Sequence, residues 1–406
     1  MVKLNLLLAL LATAQANAAS LGWPWSPPPT DRSNVDYPKT CLVKPNGHGK
    51  DDAQSILNAM KTCNNGGAVV FQKNNLYTIG SPLDLTFLRD IDIYIDGTIQ
   101  FTNDIPYWTE HSFKFAYQNG SAFWKFGGSG VNIIGGEEGV IDGQGGNWWT
   151  EFQTNSQLQR PVLLLLDGLE KSSVTNLKMI QPPSYFNFVA NSSQINYNGL
   201  TLNVTPIGDF TPKNTDGWDT YKSDLISIQN SYINNNDDCV SFKPNTTNVI
   251  VQNLACNGSH GISVGSLGQY VGEYDIVQNV LVTNVSMSNA QNGARIKAYP
   301  GRPAGSTVLD NGGGSGIVEN IMFKDFHVDN VDYAIDLTQC YGGSSTIAPE
   351  ICQQNPADVI IKDIFFVNVT GTTSKKINPY SGELTCSSPN VSISHEDSDI
   401  GRQLTN

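Results

Sequence analysis

Asp216, Asp238 and His260 follow one another at intervals of 22 residues, and Asp237 adjoins the second of them. Two cations, Arg295 and Lys297, come next in the pattern ARIK. Carboxylates held a few ångströms apart repel, which raises the pKa of one and keeps it protonated while another stays ionised. Glycoside hydrolysis needs that combination: a protonated acid at the leaving oxygen and a carboxylate that activates water or attacks carbon. A cationic pair beside them suits an anionic sugar. A calcium site or an Asp/Asn turn ladder would fit the acidic row as well, and spacing alone leaves these open.

For such a row to exist, the backbone must return to the same place about every 22 residues. Short β-branched runs carry Asn176, Asn198, Asn230, Asn253, Asn279 and Asn320, in steps of 22, 32, 23, 26 and 41 residues. A base period of 22–26 with loop insertions marks a solenoid of stacked coils. Strands of three to five residues such as LISI, CVSF and GISV make no core alone and must stack into parallel sheets. The expected fold is an all-β, single-domain, right-handed parallel β-helix. A β-sandwich is disfavoured by the scarcity of hairpin signals, and a β-propeller by the repeat length. Residues one coil apart then lie about 5 Å apart, while Arg295 and Lys297, two apart on a strand, face one side. One short amphipathic helix is expected over 50–62, through Ile56, Leu57 and Met60.

The 406 residues carry a net charge of −13, with a sequence pI near 4.7, which argues against nucleic acid and anionic membranes as partners. Residues 1–18 read as a secretory signal peptide, a charged start and an apolar run ending in Ala16-Asn17-Ala18. Residues 19–40 read as an extended Pro-rich arm, 41–388 as the β-helix and 389–406 as a polar tail. Glycosylation acceptors stand at Asn119, Asn191, Asn203, Asn245, Asn257, Asn284, Asn368 and Asn390, as expected of a secreted chain. In an oxidising compartment, local closeness pairs Cys41 with Cys63, Cys239 with Cys256 and Cys340 with Cys352, leaving Cys386 over. No CxxC or HExxH spacing supports a metal, and no cofactor is expected.

Taken together, NTDG (214–217), NNDDCVSFKP (235–244), GSHGISVGSLGQY (258–270) and ARIK (294–297) resemble glycoside hydrolase family 28, the polygalacturonases, over about residues 41–388. The segments DGWDTYKSD and NVDYAIDLTQCYG are similar to the fungal exo-acting members. The resemblance implies Asp238 as general acid and Asp216 with Asp237 activating the attacking water. It implies inversion, with the carboxylates roughly 6.5–9.5 Å apart to admit that water. His260 would tune the acid's protonation, Arg295 and Lys297 would hold a galacturonate carboxylate, and Tyr341 would touch substrate. Asp219 is expected to orient its loop and Lys243 to be structural, while Trp218 either lines the cleft or packs. The intervals 198–230 and 279–320 would supply loops that wall the cleft. After Cys386 the sequence departs from the family, which leaves that cysteine without its expected partner.

The implied activity is extracellular hydrolysis of terminal α-1,4-linked galacturonic acid from pectic galacturonan by a monomer. Alternatives are a galacturonohydrolase of rhamnogalacturonan ends, an endo-polygalacturonase, a calcium-dependent pectate lyase and a non-enzymatic carbohydrate-binding solenoid.

Overall fold

A computed structural model describes residues 35–406 except 207–210, 303–304, 307–310, 343–348, 378, 388–390, 395–403 and 406. The expected signal peptide, most of the N-terminal arm and Asn390 lie outside the described residues. The rest is a right-handed parallel β-helix, with 25 strands joined in one continuous sheet from Thr40–Leu42 to Leu404–Thr405. The expected polar tail contributes too. Val391–Ser394 and Leu404–Thr405 both pair in parallel with Asp358–Thr373.

Each coil turns its corners on residues in the left-handed region, where Asn is tolerated because its short amide bonds locally. Asn230, Asn248, Asn253, Asn279, Asn284 and Asn320 all have φ between 52° and 58°. Their amides stack into ladders one coil apart: Asn230 donates to Asn198, Asn253 to Asn230 and Asn284 to Asn253, each at 2.8 Å. A separate ladder runs from Asn320 to Asn279 to Asn248, each step at 2.9 Å. The repeat expected from sequence therefore crosses between two corners. Asn253 stacks under Asn284, 31 residues on, and not under Asn279. The short coils are 22 or 23 residues long, and others carry insertions that bring the step to 31, 41 or 43.

Alternation along the strands fills the interior with Val240, Phe242, Ile262, Val264, Ala294 and Ile296, all buried. Trp218 belongs to this core; it packs edge-on against Tyr197 with ring centroids 5.8 Å apart. The helix Ala53–Cys63 lays Ile56 and Met60 against the first coils, and Cys63 joins Cys41 there. Cys239–Cys256 and Cys340–Cys352 also form, and Cys386 is exposed and free.

Three further helices, Ile105–His111, Gly146–Thr154 and Pro349–Gln354, sit in insertions that carry no long periodic pattern in sequence. One antiparallel hairpin is present as well. Phe113–Phe115 pairs with Gly120–Ala122, which in turn pairs with Pro161–Val162. Of the sequons, Asn119, Asn191, Asn284 and Asn368 are exposed, while Asn203, Asn245 and Asn257 are half-buried.

Candidate active site

One face of the β-helix is built from Asn187–Ala190, Trp218–Tyr221, Val240–Phe242, Ile262–Leu267, Asn292–Ala298 and Tyr333–Thr338, paired in that order. Residues in register across it form rows. One outward row runs Phe188, Asp219, Ser241, Ser263, Arg295, Asp336. Lys297, two positions beyond Arg295, points outward with it. This is the floor of a cleft.

The acidic residues sit on the loops that lead into the floor strands. Glycine is needed where these loops cross: a Cβ at Gly217 would lie 2.4 Å from the Cys239 carbonyl oxygen. Asn235 ties the loops together, its amide donating to the carbonyls of Thr215 and Asp238 at 2.9 Å and of Asp237 at 3.1 Å. Carboxylate oxygens of Asp216, Asp237 and Asp238 thereby come within 4.8 Å of one another. Asp216 reaches the other two from the neighbouring coil, while Asp237 and Asp238 are consecutive on one loop.

Each carboxylate meets different partners. Asp237 Oδ1 accepts from the Asp238 backbone N–H at 2.9 Å and faces His260 Nδ1 at 3.1 Å, while Oδ2 accepts from the Asn214 N–H at 3.1 Å. Burial would raise its pKa, but His260, and after it the charge of Lys297, bring it below the usual carboxylate value. Burial likewise opposes the charge on His260, yet Asp237 outweighs that and raises the imidazole pKa. His260 thus bonds Asp237, not the Asp238 that the resemblance had it tune.

Asp238 is fully buried; its Oδ2 meets Lys297 Nζ at 2.6 Å and its Oδ1 accepts from Ser263 at 2.7 Å. Burial favours its neutral form, but Lys297, then Lys243 and Arg295, hold it well below the ordinary range. The acid expected to be protonated is therefore ionised here, through a cation that the spacing argument had assigned to substrate alone. Asp216 goes the other way: burial first, then the charges of Asp237 and Asp219, push it well above the usual value. The three aspartates are the group among the described residues that would hold a cation, and Lys297 already supplies countercharge to them.

Arg295 places Nε 3.0 Å from Asp336 Oδ2. Arg295 and Lys297 each stand 5.6 Å from the Tyr341 ring centre, and Tyr299 meets that ring edge-on at 5.2 Å. All seven residues singled out by sequence are thus brought to one cleft. Sequence reasoning missed Asp336, Ser263 and Arg160. Arg160 donates to the carbonyls of Lys213 at 2.6 Å and Pro183 at 2.9 Å and to Asn214 Oδ1 at 2.6 Å, fixing the loop that holds Asp237. Nothing in the stretch QLQRP signals this. Asp219 and Lys243, expected to be structural, lie in the cleft floor as a buried pair with 3.6 Å between Nζ and Oδ1.

The hairpin Phe113–Ala122 covers one end of the floor. Phe115 stacks on Phe188 at 4.9 Å and Tyr117 on Tyr221 at 4.2 Å. On one side of its tip a cavity of about 620 Å³ opens among Tyr117, Tyr221, Gln269 and Tyr270.

Residues 70–400 match the sequence pattern of Glycosyl hydrolases family 28. The exopolygalacturonase of Cochliobolus carbonum is 52% identical over 365 residues, covering 89% of this chain and 81% of that protein. Exopolygalacturonase X of Aspergillus niger is 49% identical over 392 residues, covering 95% and 88%. Among solved structures, endo-xylogalacturonan hydrolase from Aspergillus tubingensis superimposes with a TM-score of 0.79 at 34% identity, covering 88% of this chain and 91% of that one.

Proposed function

As a member of glycosyl hydrolases family 28 the chain is a glycoside hydrolase, and we propose that it removes galacturonic acid one unit at a time from the end of α-1,4-linked galacturonan in pectin. The observation that carries the exo mode is the hairpin Phe113–Ala122, stacked on Phe188 and Tyr221 beside the acidic row. It stops an otherwise open groove on the N-terminal side, so that a chain end enters and a chain interior does not. The two relatives named exopolygalacturonase support the same mode.

Asp238 donates its proton to the leaving oxygen, and Asp216 with Asp237 orient the attacking water. Arg295 and Lys297 bind the carboxylate of a galacturonate unit, with Tyr341 beside them. Lys297 carries two tasks in this scheme. In the empty site it holds Asp238 ionised. An arriving substrate carboxylate competes for that ammonium and adds negative charge, so Asp238 takes up its proton as the complex forms. His260 and Asn214 meanwhile keep Asp237 ionised and in place.

Work outside the cell is supported by three disulfides. Among the described residues no helix is long and apolar enough to cross a membrane.

Product analysis on polygalacturonate tests this. Free galacturonic acid should appear from the first time point with little loss of viscosity. An early viscosity drop with mixed oligomers would overturn the exo reading, and release from rhamnogalacturonan oligomers but not from polygalacturonate would reassign the substrate.

A further inference from the structure

Beneath the hairpin, several buried polar groups lack partners. Asp219 is fully buried, and neither of its carboxylate oxygens accepts a hydrogen bond among the described residues. Its ion-pair partner among the described residues is Lys243, whose side chain is 6% exposed and whose Nζ stands off at 3.6 Å. The Tyr117 hydroxyl is buried and unpartnered too. Burial pushes that hydroxyl well above its ordinary pKa, and the charges acting on it most are those of Lys243 and Asp219. Buried polar groups are almost always satisfied, and an orphaned one costs free energy. Two such groups, the Asp219 carboxylate on the cleft floor and the Tyr117 hydroxyl on the hairpin above it, mark where something polar completes them.

Their position says what that is. Asp219 occupies the floor row between Phe188, which the hairpin covers, and Ser241, whose neighbour Ser263 bonds Asp238. Tyr117 is carried there by the hairpin itself. The group therefore lies between the wall and the acidic row, where the terminal sugar of an end-attacked chain must sit. This rests on the exo reading above. On the non-reducing side of an α-1,4 polymer, the free 4-hydroxyl is the one group that a terminal unit has and an interior unit lacks.

We propose that Asp219, Lys243 and Tyr117 form an end-recognition site, in which the Asp219 carboxylate accepts the free 4-hydroxyl of the terminal galacturonate while Lys243 and Tyr117 complete its polar surround. An interior unit, glycosylated at that oxygen, offers no proton to Asp219 and meets the hairpin. Blunt steric closure is thus reinforced by a chemical test of whether a chain end is present.

The test compares trigalacturonate with the same trimer lacking the 4-hydroxyl on its non-reducing unit. A site built to bond a hydroxyl rejects the analogue without it, so wild-type kcat/KM should fall by about 10²-fold or more. Asp219→Asn and Tyr117→Phe should lower kcat/KM for the natural trimer by more than for the deoxy trimer, shrinking the ratio. The wild-type comparison holds even if a buried substitution impairs folding. Release of galacturonic acid from polygalacturonate together with equal cleavage of both trimers would overturn the inference and spare the exo reading. No release from polygalacturonate would remove the functional reading and the inference with it.

Discussion

Lys297→Met separates two tasks that the structure gives to one ammonium. Nζ lies 2.6 Å from Asp238 Oδ2, and both groups are nearly inaccessible. Two unit charges 4 Å apart attract by about 4 kcal/mol at an effective dielectric near 20, a large fraction of a domain's total stability. Removing the cation leaves Asp238 buried with only Ser263 bonded to it and with the more distant Lys243 and Arg295. Its pKa must then rise, because burial is no longer outweighed. The alkaline limb of kcat/KM against pH reports the free enzyme's acid, so it should move to higher pH in the variant. KM for oligogalacturonate should rise at the same time, by about 10-fold or more for one lost charge-assisted contact.

Arg295→Met supplies the contrast. Arg295 bonds Asp336 and acts on Asp238 only from a distance, after Lys297 and Lys243, so this variant should raise KM comparably while moving the alkaline limb in the same direction by clearly less. A single break also destabilises: stranding one member of a buried ion pair costs about 3–5 kcal/mol. That penalty should show as a thermal midpoint depressed at neutral pH and largely restored in acid, where Asp238 protonates. The same limb position in wild type and both variants would refute the claim that Lys297 governs the acid.

Asp238→Asn keeps the side-chain shape without a transferable proton and should lower turnover about 10²-fold or more, with oligogalacturonate binding retained by calorimetry; near-normal turnover would reject it as the acid. Asp219, pushed up to about 7 from 3.8 by burial and only partly relieved by Lys243, favours the folded state most below pH 3.8 and loses that advantage as pH rises through about 7. Thermal midpoints should therefore fall between pH 4 and 8, and Asp219→Asn should flatten the profile. Cys386, exposed and unpaired, should give about one thiol per chain on titration of the unreduced, unfolded protein, or a disulfide-linked dimer on a non-reducing gel.

The acidic row was readable because the interval between its members equals a coil length, and the two alternating cations because a strand repeats every second residue. Both signals are local to the floor strands. Neighbours delivered from elsewhere left no such trace. Arg160 reaches Asn214 across 54 positions, and Tyr117 arrives on a hairpin whose short strands carry no long alternating pattern. Asp219 and Lys243 looked structural because nothing in DGWD or SFKP says that their side chains face the cleft unsatisfied. The Asn repeat misled in one respect. Both corners of the coil demand a left-handed residue, so Asn marks two ladders with one composition, and the 26-residue step joined Asn253 of one to Asn279 of the other. Trp218, equally suited by type to a cleft or a core, falls inward because it precedes Asp219 on an alternating strand.

The stereochemical outcome turns on which of the clustered carboxylates could attack carbon. Retaining and inverting enzymes differ in whether the second carboxylate attacks the anomeric carbon or activates a water. Here one oxygen of each aspartate lies within 4.8 Å of the others, so the partners of each group decide. A retaining enzyme, however, needs an ionised carboxylate with an oxygen free to attack carbon. Asp237 is ionised, but both of its oxygens are engaged, by the Asp238 N–H and His260 on one side and Asn214 on the other. Asp216 has a free oxygen, Oδ1, but burial and two neighbouring carboxylates favour its protonated form. We infer that both orient a water instead of attacking carbon: Asp237 Oδ2, held by the Asn214 N–H, keeps a lone pair for the water's proton while Asp216 fixes its direction. Proton NMR of the first galacturonic acid released from an α-linked substrate should therefore show the β anomer. An initial α signal would mean that one of these aspartates attacks carbon, and would overturn the water-activation scheme.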